Sequence, residues 1–251
     1  MVGAPAAADA VARAQRLPSL RVGLHLVLVD GSPVLQSQSL PNLVDAEGRF
    51  RTDLVGTAID IFLRPAVRRQ VAAEITAQFE AFRRTGLPLD HVNAHKHFHL
   101  HPTLAAQILE IGQRYGIRAI RAPVEPARIL ARVEPKISRR RALSTAPWAA
   151  LLRAQARRYG VAVSDNTFGL TWSGAMIEAR MAGLLRHLPD GMTEIYAHPA
   201  TSGAFEGATS NYRYADELAA LTAPAVLAAA RASGARLGGF ADFAPPVPGN
   251  S

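Results

Sequence analysis

The chain has 251 residues, of which 49% are apolar and 19% charged, with a formal net charge of +8 and no cysteine. The length allows one α/β domain with a sizeable core, and the composition excludes disorder. Without cysteine there is no disulfide framework and no thiolate metal site, so any ion must be held by His, Asp, Glu or water.

No apolar run reaches the roughly eighteen residues that span a bilayer, and no basic segment leads into a signal core. A soluble, cytoplasmic protein is expected. The arginine-rich surplus of positive charge favours anionic surfaces. Nucleic acid is not expected as a partner, because no recognised binding motif or aromatic–basic interleaving occurs.

In chain order, Ala6 to Arg16 reads as an Ala-rich helix ended by Pro18. Leu20 to Val29 is the clearest strand, with Leu20, Val22, Leu24, Leu26 and Leu28 on one side and Gly23, His25 and Val27 on the other. A strand apolar on both faces is buried between layers, as in a parallel sheet or barrel. Asp30 to Leu63 reads as a long irregular excursion marked by turn signals, and excursions of that length in compact enzymes are usually functional. Val67, Val71, Ile75, Phe79 and Phe82 recur at helical spacing between Pro65 and Thr85, and Gly86 closes that helix.

The next stretch, Asp90 to Pro102, carries His91, His95, His97, His99 and His101, five of the eight histidines in the chain. They alternate with Val92, Ala94, Lys96, Phe98 and Leu100, which is the period of a strand. On a strand, His91, Asn93, His95, His97 and His99 share one face. No more than two or three of them can reach one ion, because ligands must converge at about 2.0 to 2.2 Å.

A helix from Thr103 to Tyr115 capped by Gly116 follows, then a short strand from Ile117 to Ala122. Strand, helix, strand, helix in this order argues for parallel strands joined by helical crossovers. Glu125 to Arg158 is basic, with Lys136, Arg139, Arg140 and Arg141 leading into an amphipathic pattern on Trp148, Leu151 and Leu152; it is either a solvated face or a membrane-facing one. Val161 to Ser164 is a weak strand, Asn166 to Gly174 a loop and Ala175 to Leu188 a helix. Met192 to Ala200 is a strand on which Glu194, Tyr196 and His198 share a face. A helix from Tyr214 to Ala232 and a strand from Ala235 to Phe240 precede a Pro-rich tail. With no internal repeat and no linker, residues 1–251 read as a single domain.

Three strands ending in histidine, with His25, the His95 to His99 group and His198, would point to one end of a parallel sheet. At this point the sequence resembles the YdjC-like carbohydrate deacetylases, the family that includes chitooligosaccharide deacetylase. The resemblance rests on VGLHLVL at Val22 to Leu28, HVNAHKHFHLHP at His91 to Pro102, EIYAHPA at Glu194 to Ala200 and, more faintly, LGGFADF at Leu237 to Phe243. NLVDAEGRFR at Asn42 to Arg51 and the Asn-Ala-His-Lys-His run are most similar to the hopanoid-biosynthesis branch, HpnK.

The resemblance implies a distorted (β/α) barrel of the polysaccharide-deacetylase-like type. It implies a divalent metal ion, Mg or Zn, held by His25, His95 and an aspartate. It casts His198 as the proton donor, with His97, His99 and Tyr196 beside the substrate. The substrate it implies is an N-acetylated amino sugar, and for the branch an N-acetylglucosaminyl group on a hopanoid lipid. Such a glycolipid would make peripheral contact of Lys136 to Arg158 with the inner membrane relevant; a homodimer is equally open.

Family members begin with a strand carrying Ala-Asp-Asp-Phe-Gly, whose aspartates supply the third ligand and the base. No such run occurs in these 251 residues, and Met1 aligns after that segment. The expectation is an N-terminally truncated member lacking its first strand and helix, with little activity. Asn93 stands where many relatives have aspartate, and an amide is no base. Two other readings stay open: a glycan- or lipid-binding protein without catalysis, and an unrelated His-rich metallohydrolase.

Overall fold

The computed structural model describes residues 1–137, 140–205 and 207–244, without the side chains of residues 140–143. Arg139, the side chains of Arg140 and Arg141, and the Pro-rich tail from Pro245 lie outside the described residues. The helices are α1 (Ala7–Gln15), α2 (Leu54–Leu63), α3 (Pro65–Arg84), α4 (Pro102–Gln113), α5 (Ala127–Val133), α6 (Arg140–Arg158), α7 (Glu178–Arg186), α8 (Tyr214–Thr222) and α9 (Pro224–Ala232). The strands are β1 (Val22–Leu26), β2 (Leu89–Ala94), β3 (Asn166–Phe168) and β4 (Thr193–Ile195). This α/β chain forms two compact units.

The first unit comprises Met1–Arg121, Ala150–Val163 and Gly238–Ser251. Its strands β1 and β2 pair in parallel with Leu24 beside Val92, His25 beside Asn93 and Leu26 beside Ala94. Single parallel bridges from Val92 to Ile120 and from Ala119 to Ala162 extend the arrangement. Parallel neighbours need a long return connection, which α2 and α3 supply between β1 and β2, and α4 between β2 and Ala119. Leu24, Leu26 and Val92 are at most 1% exposed, as are Val67, Val71, Ile75 and Phe79 on one face of α3. Burying each such side chain contributes about 1.5–3 kcal/mol.

A polar clamp also fixes the end of β1. Gln78 on α3 accepts from Val27 N–H at 3.0 Å and donates to Val27 carbonyl at 2.6 Å. Glu74, one turn earlier and fully buried, accepts from Val34 and Leu35 N–H and from Gln78. Burial pushes the Glu74 carboxyl up despite these three donors.

The second unit comprises Ala122–Ala149 and Ser164–Leu237. β3 and β4 pair in parallel, Thr167 beside Glu194. Its core gathers Ile129, Leu130, Phe168, Trp172, Met176, Leu184 and Val226. The buried Glu125 carboxylate accepts from Gly169, Leu170 and Thr171 N–H, each at 2.9 Å, and from the Thr171 hydroxyl, which shapes the turn leaving β3.

Several elements differ from the sequence reading. The excursion from Asp30 contains a helix, α2, started by Asp53, whose carboxylate accepts from Gly56 N–H. The strand expected through His101 stops at Ala94, because Lys96 and His97 take left-handed conformations, φ 52° and 54°, and turn the chain. Asn166 to Phe168 is a strand instead of a loop. The expected helix from Tyr214 to Ala232 is two helices, since Pro224 lacks the N–H that a continuous helix needs and opens α9 instead. Ala235 to Phe240 is not a strand; Phe240–Asp242 forms a 3-10 turn.

Candidate metal and proton-transfer sites

The parallel register sets His25 directly beside Asn93, and their side chains meet: His25 Nδ1 donates to Asn93 Oδ1 at 2.5 Å. Asn93 Nδ2 in turn donates to His91 Nε2 at 3.2 Å, and His91 Nδ1 donates to Asp90 at 2.9 Å. Asp90 is buried and also accepts from Phe240 and Ala241 N–H. Burial by itself would raise the Asp90 carboxyl, but the bonds from His91 and the two amides outweigh it and hold it below its ordinary value.

This relay settles the hydrogens in sequence. A carboxylate only accepts, so His91 carries its proton on Nδ1 and presents Nε2 as the acceptor of the Asn93 amide. The amide oxygen then faces His25, whose proton sits on Nδ1 and whose Nε2 keeps its lone pair. Gly23 permits the arrangement, since a Cβ there would lie 2.5 Å from His91 Cε1. Burial keeps the His25 imidazole neutral, its pKa pushed down to about 3 although the Asn93 bond opposes the shift. A neutral imidazole oriented by a partner on its other nitrogen is the usual state of a metal-ligating histidine.

His95 lies beside it, the two rings edge to face with centroids 5.8 Å apart. His95 begins the turn that ends β2, and that turn is tied back to the end of β1 by an ion pair between Lys96 and Asp30. Lys96 draws the Asp30 carboxyl below its ordinary value. Among the described residues Asp30, Lys96 and His97 are the non-glycine ones with positive φ, each costing on the order of 1 kcal/mol or more, so strain gathers at this turn.

His97 and His99 face each other at 6.0 Å. His99 is fully buried, and its Nε2 donates to the Arg121 carbonyl at 2.9 Å, a contact that anchors the turn from behind. His101 precedes the first turn of α4, with no capping bond from its side chain.

His25 and His95 thus fit the imidazole half of a divalent-metal site. Among the described residues, no cluster of three or more His, Cys, Asp or Glu side chains stands ready to hold an ion.

In the second unit His198 follows β4, outside regular structure, with its side chain 41% exposed. Its backbone N–H donates to Glu217 Oε2 at 2.5 Å, and the same oxygen lies 4.0 Å from His198 Nδ1. Glu217 is fully buried and also accepts from Met176 N–H at 2.7 Å. Tyr196 meets the His198 ring edge-on at 5.8 Å, and Tyr212 lies at 5.0 Å, its hydroxyl bonded to Ser173. This is a half-open imidazole walled by two aromatic rings over a carboxylate.

The sequence reading gave no role to Asp90, Tyr212 or Glu217, and it placed His91 and Asn93 on the histidine face without linking them to each other or to His25. Asp-His-x-Asn at the end of a strand was the available signal for the relay; Tyr212 and Glu217 had none.

A family model described as YdjC-like protein matches residues 1–232. The carbohydrate deacetylase of Geobacillus stearothermophilus is 28% identical over 249 residues, 97% of this chain and 84% of that protein. The Brevibacillus brevis carbohydrate deacetylase is 40% identical over 108 residues, which span 43% of this chain and 40% of the relative. That of Vibrio cholerae is 38% identical over 119 residues, 47% of this chain and 44% of the relative. In these last two comparisons the matched stretch is thus well under half the relative's length. The crystal structure of an Enterococcus faecalis V583 protein named for cellobiose-phosphate cleavage superposes with a TM-score of 0.73 at 21% identity, over 98% of this chain and 86% of that one, which is a shared fold.

Proposed function

The chain belongs to the YdjC-like protein family and is a homologue of carbohydrate deacetylases, and from that premise we propose that it hydrolyses the N-acetyl group of an amino sugar. The observation that carries the reading is the His25 relay: a partly buried, neutral imidazole with Nδ1 committed to Asn93 and a second imidazole 5.8 Å away. His25 and His95 would hold the divalent ion, Mg or Zn. When bound, such an ion supplies Lewis-acid activation for attack of water on an acetamide carbonyl.

The protein's own part is to keep His25 unprotonated and oriented with His95 beside it, and to deliver a proton to the departing amine. His198 takes that second role, since an exposed imidazole near a buried carboxylate can exchange protons with solvent. Water and amide become acetate and free amine. His97 and Tyr196 are assigned to the substrate, with His99 supporting the turn that carries His97. The barrel closure typical of polysaccharide-deacetylase-like proteins and an N-acetylglucosaminyl hopanoid as the acceptor belong to the same reading, supported by the NLVDAEGRFR and Asn-Ala-His-Lys-His stretches.

Two imidazoles without a carboxylate hold a divalent ion weakly. That same donor shortage favours a second reading, a glycan binder that does not hydrolyse.

The test is acetate release from N-acetylglucosamine oligomers and glycolipids, with metal content measured alongside. His25→Ala and His95→Ala should each lower both by on the order of a hundredfold, and His101→Ala should not. Tight glycan binding by calorimetry with no acetate released would select the binder instead.

A further inference from the structure

Helix α2 is folded with its more apolar face outward. It buries Thr57 and Ile61, and the Thr57 hydroxyl has no hydrogen-bond partner among the described residues. Val55, Ile59, Phe62 and Leu63 stand 68%, 53%, 61% and 65% exposed on the other side. Spacings of four and three residues put Val55, Ile59 and Phe62 on a single stripe, and Leu63 flanks it. Together they leave on the order of 500 Å² of apolar surface in water, the scale of a functional patch.

The rim of the stripe is basic. From Arg51 to Arg69 there are four arginines against two aspartates. Of those aspartates, Asp60 is paired to both Arg51 and Arg64, while Asp53 caps the helix and lies 3.7 Å from Arg51. Arg69, in the first turns of α3, is exposed, and the chain as a whole carries +8. Phe62 also meets His101, which precedes α4, at 6.3 Å, so the patch adjoins the histidine segment.

We propose that α2 is a membrane-docking helix that lies in the interface of an anionic phospholipid bilayer. An apolar stripe rimmed by arginine is the pattern of a helix that inserts side chains between headgroups while its cations meet phosphate. The patch falls short of the roughly 800 Å² per partner that a stable protein interface buries, which disfavours a second copy as occupant. Among the described residues no helix is long and apolar enough to cross a membrane, so the contact is peripheral. The inference stands independently of the amide-hydrolysis reading, because it uses none of the histidines proposed for the metal or the proton transfer.

The experiment is co-sedimentation of the full chain with vesicles of phosphatidylcholine alone and of phosphatidylcholine mixed with phosphatidylglycerol. Binding should require phosphatidylglycerol and weaken with salt. The double variant Ile59→Asp/Phe62→Asp should bind about tenfold or more weakly, with thermal unfolding showing that it is folded. The milder Phe62→Gln should fall in between and serves if the double variant does not fold. Vesicle binding that these substitutions leave unchanged, or no binding by the parent chain, overturns the proposal. So does a concentration-dependent dimer that the same substitutions dissolve.

Discussion

His25 and His198 are held in opposite ways. His25 is gripped through its ring: Asn93 takes Nδ1–H, burial drives its pKa to about 3, and a chain of side chains ending at Asp90 fixes its orientation. His198 is gripped through its backbone: Glu217 takes the N–H, and the ring stays 41% exposed between Tyr196 and Tyr212. A ring fixed neutral and immobile suits a ligand, whereas a ring free to reach solvent suits a proton carrier. Both devices depend on a carboxylate that is buried, Asp90 in one unit and Glu217 in the other, used to organise donors rather than to react.

The contrast can be broken first at Asn93. Asn93→Ala removes the acceptor of His25 Nδ1 and the donor to His91 together, and metal affinity should fall about 10- to 100-fold, as for other supports of a ligating histidine. Isothermal titration with zinc or magnesium measures this. Unaltered affinity would show that the relay is only structural.

At Glu217 a smaller effect is expected, of a different kind. Glu217→Gln keeps the volume but turns an amide NH2, itself a donor, toward either Met176 N–H or His198 N–H. If Glu217 positions His198, kcat for acetate release should drop roughly tenfold with KM unchanged and metal content intact. A lower melting temperature with kcat preserved would assign it to folding alone.

The smallest effect is one of pH on the metal-free fold. The unfolded imidazole takes up its proton near 6.5 and the folded His25 only near 3, so the contribution is intact above 6.5 and is lost as pH falls toward 3. The buried His99 shifts in the same direction, whereas burial raises Glu74 and Glu125 and opposes the trend. The His25 share is therefore read as a difference. In His25→Gln the loss of urea resistance between pH 7 and pH 5 should be shallower than in the parent chain, and an identical slope would contradict the buried neutral state.

The elements that could be read directly were those whose burial has one period. The apolar positions of α3 recur at helical spacing and all face the core, so Val67, Val71, Ile75 and Phe79 announced it. The alternation from His91 to His101 had the period of a strand, yet beyond Ala94 it described a turn. Lys96 and His97 adopt left-handed backbone there, held by the Lys96–Asp30 pair, and no local preference of lysine or histidine foretells that. α2 was invisible as an amphipathic helix because its apolar residues face outward.

From the sequence alone came the histidine-bearing segments, the parallel α/β character and the likeness to a deacetylase family, because residue type and spacing carry that information along the chain. Which imidazole is neutral, which nitrogen offers its lone pair, and which carboxylate holds a donor were decided only by the tertiary structure. Protonation and orientation follow from burial and from partners such as Asn93 and Glu217, brought close by strand register and helix packing across 68 and 19 residues of sequence.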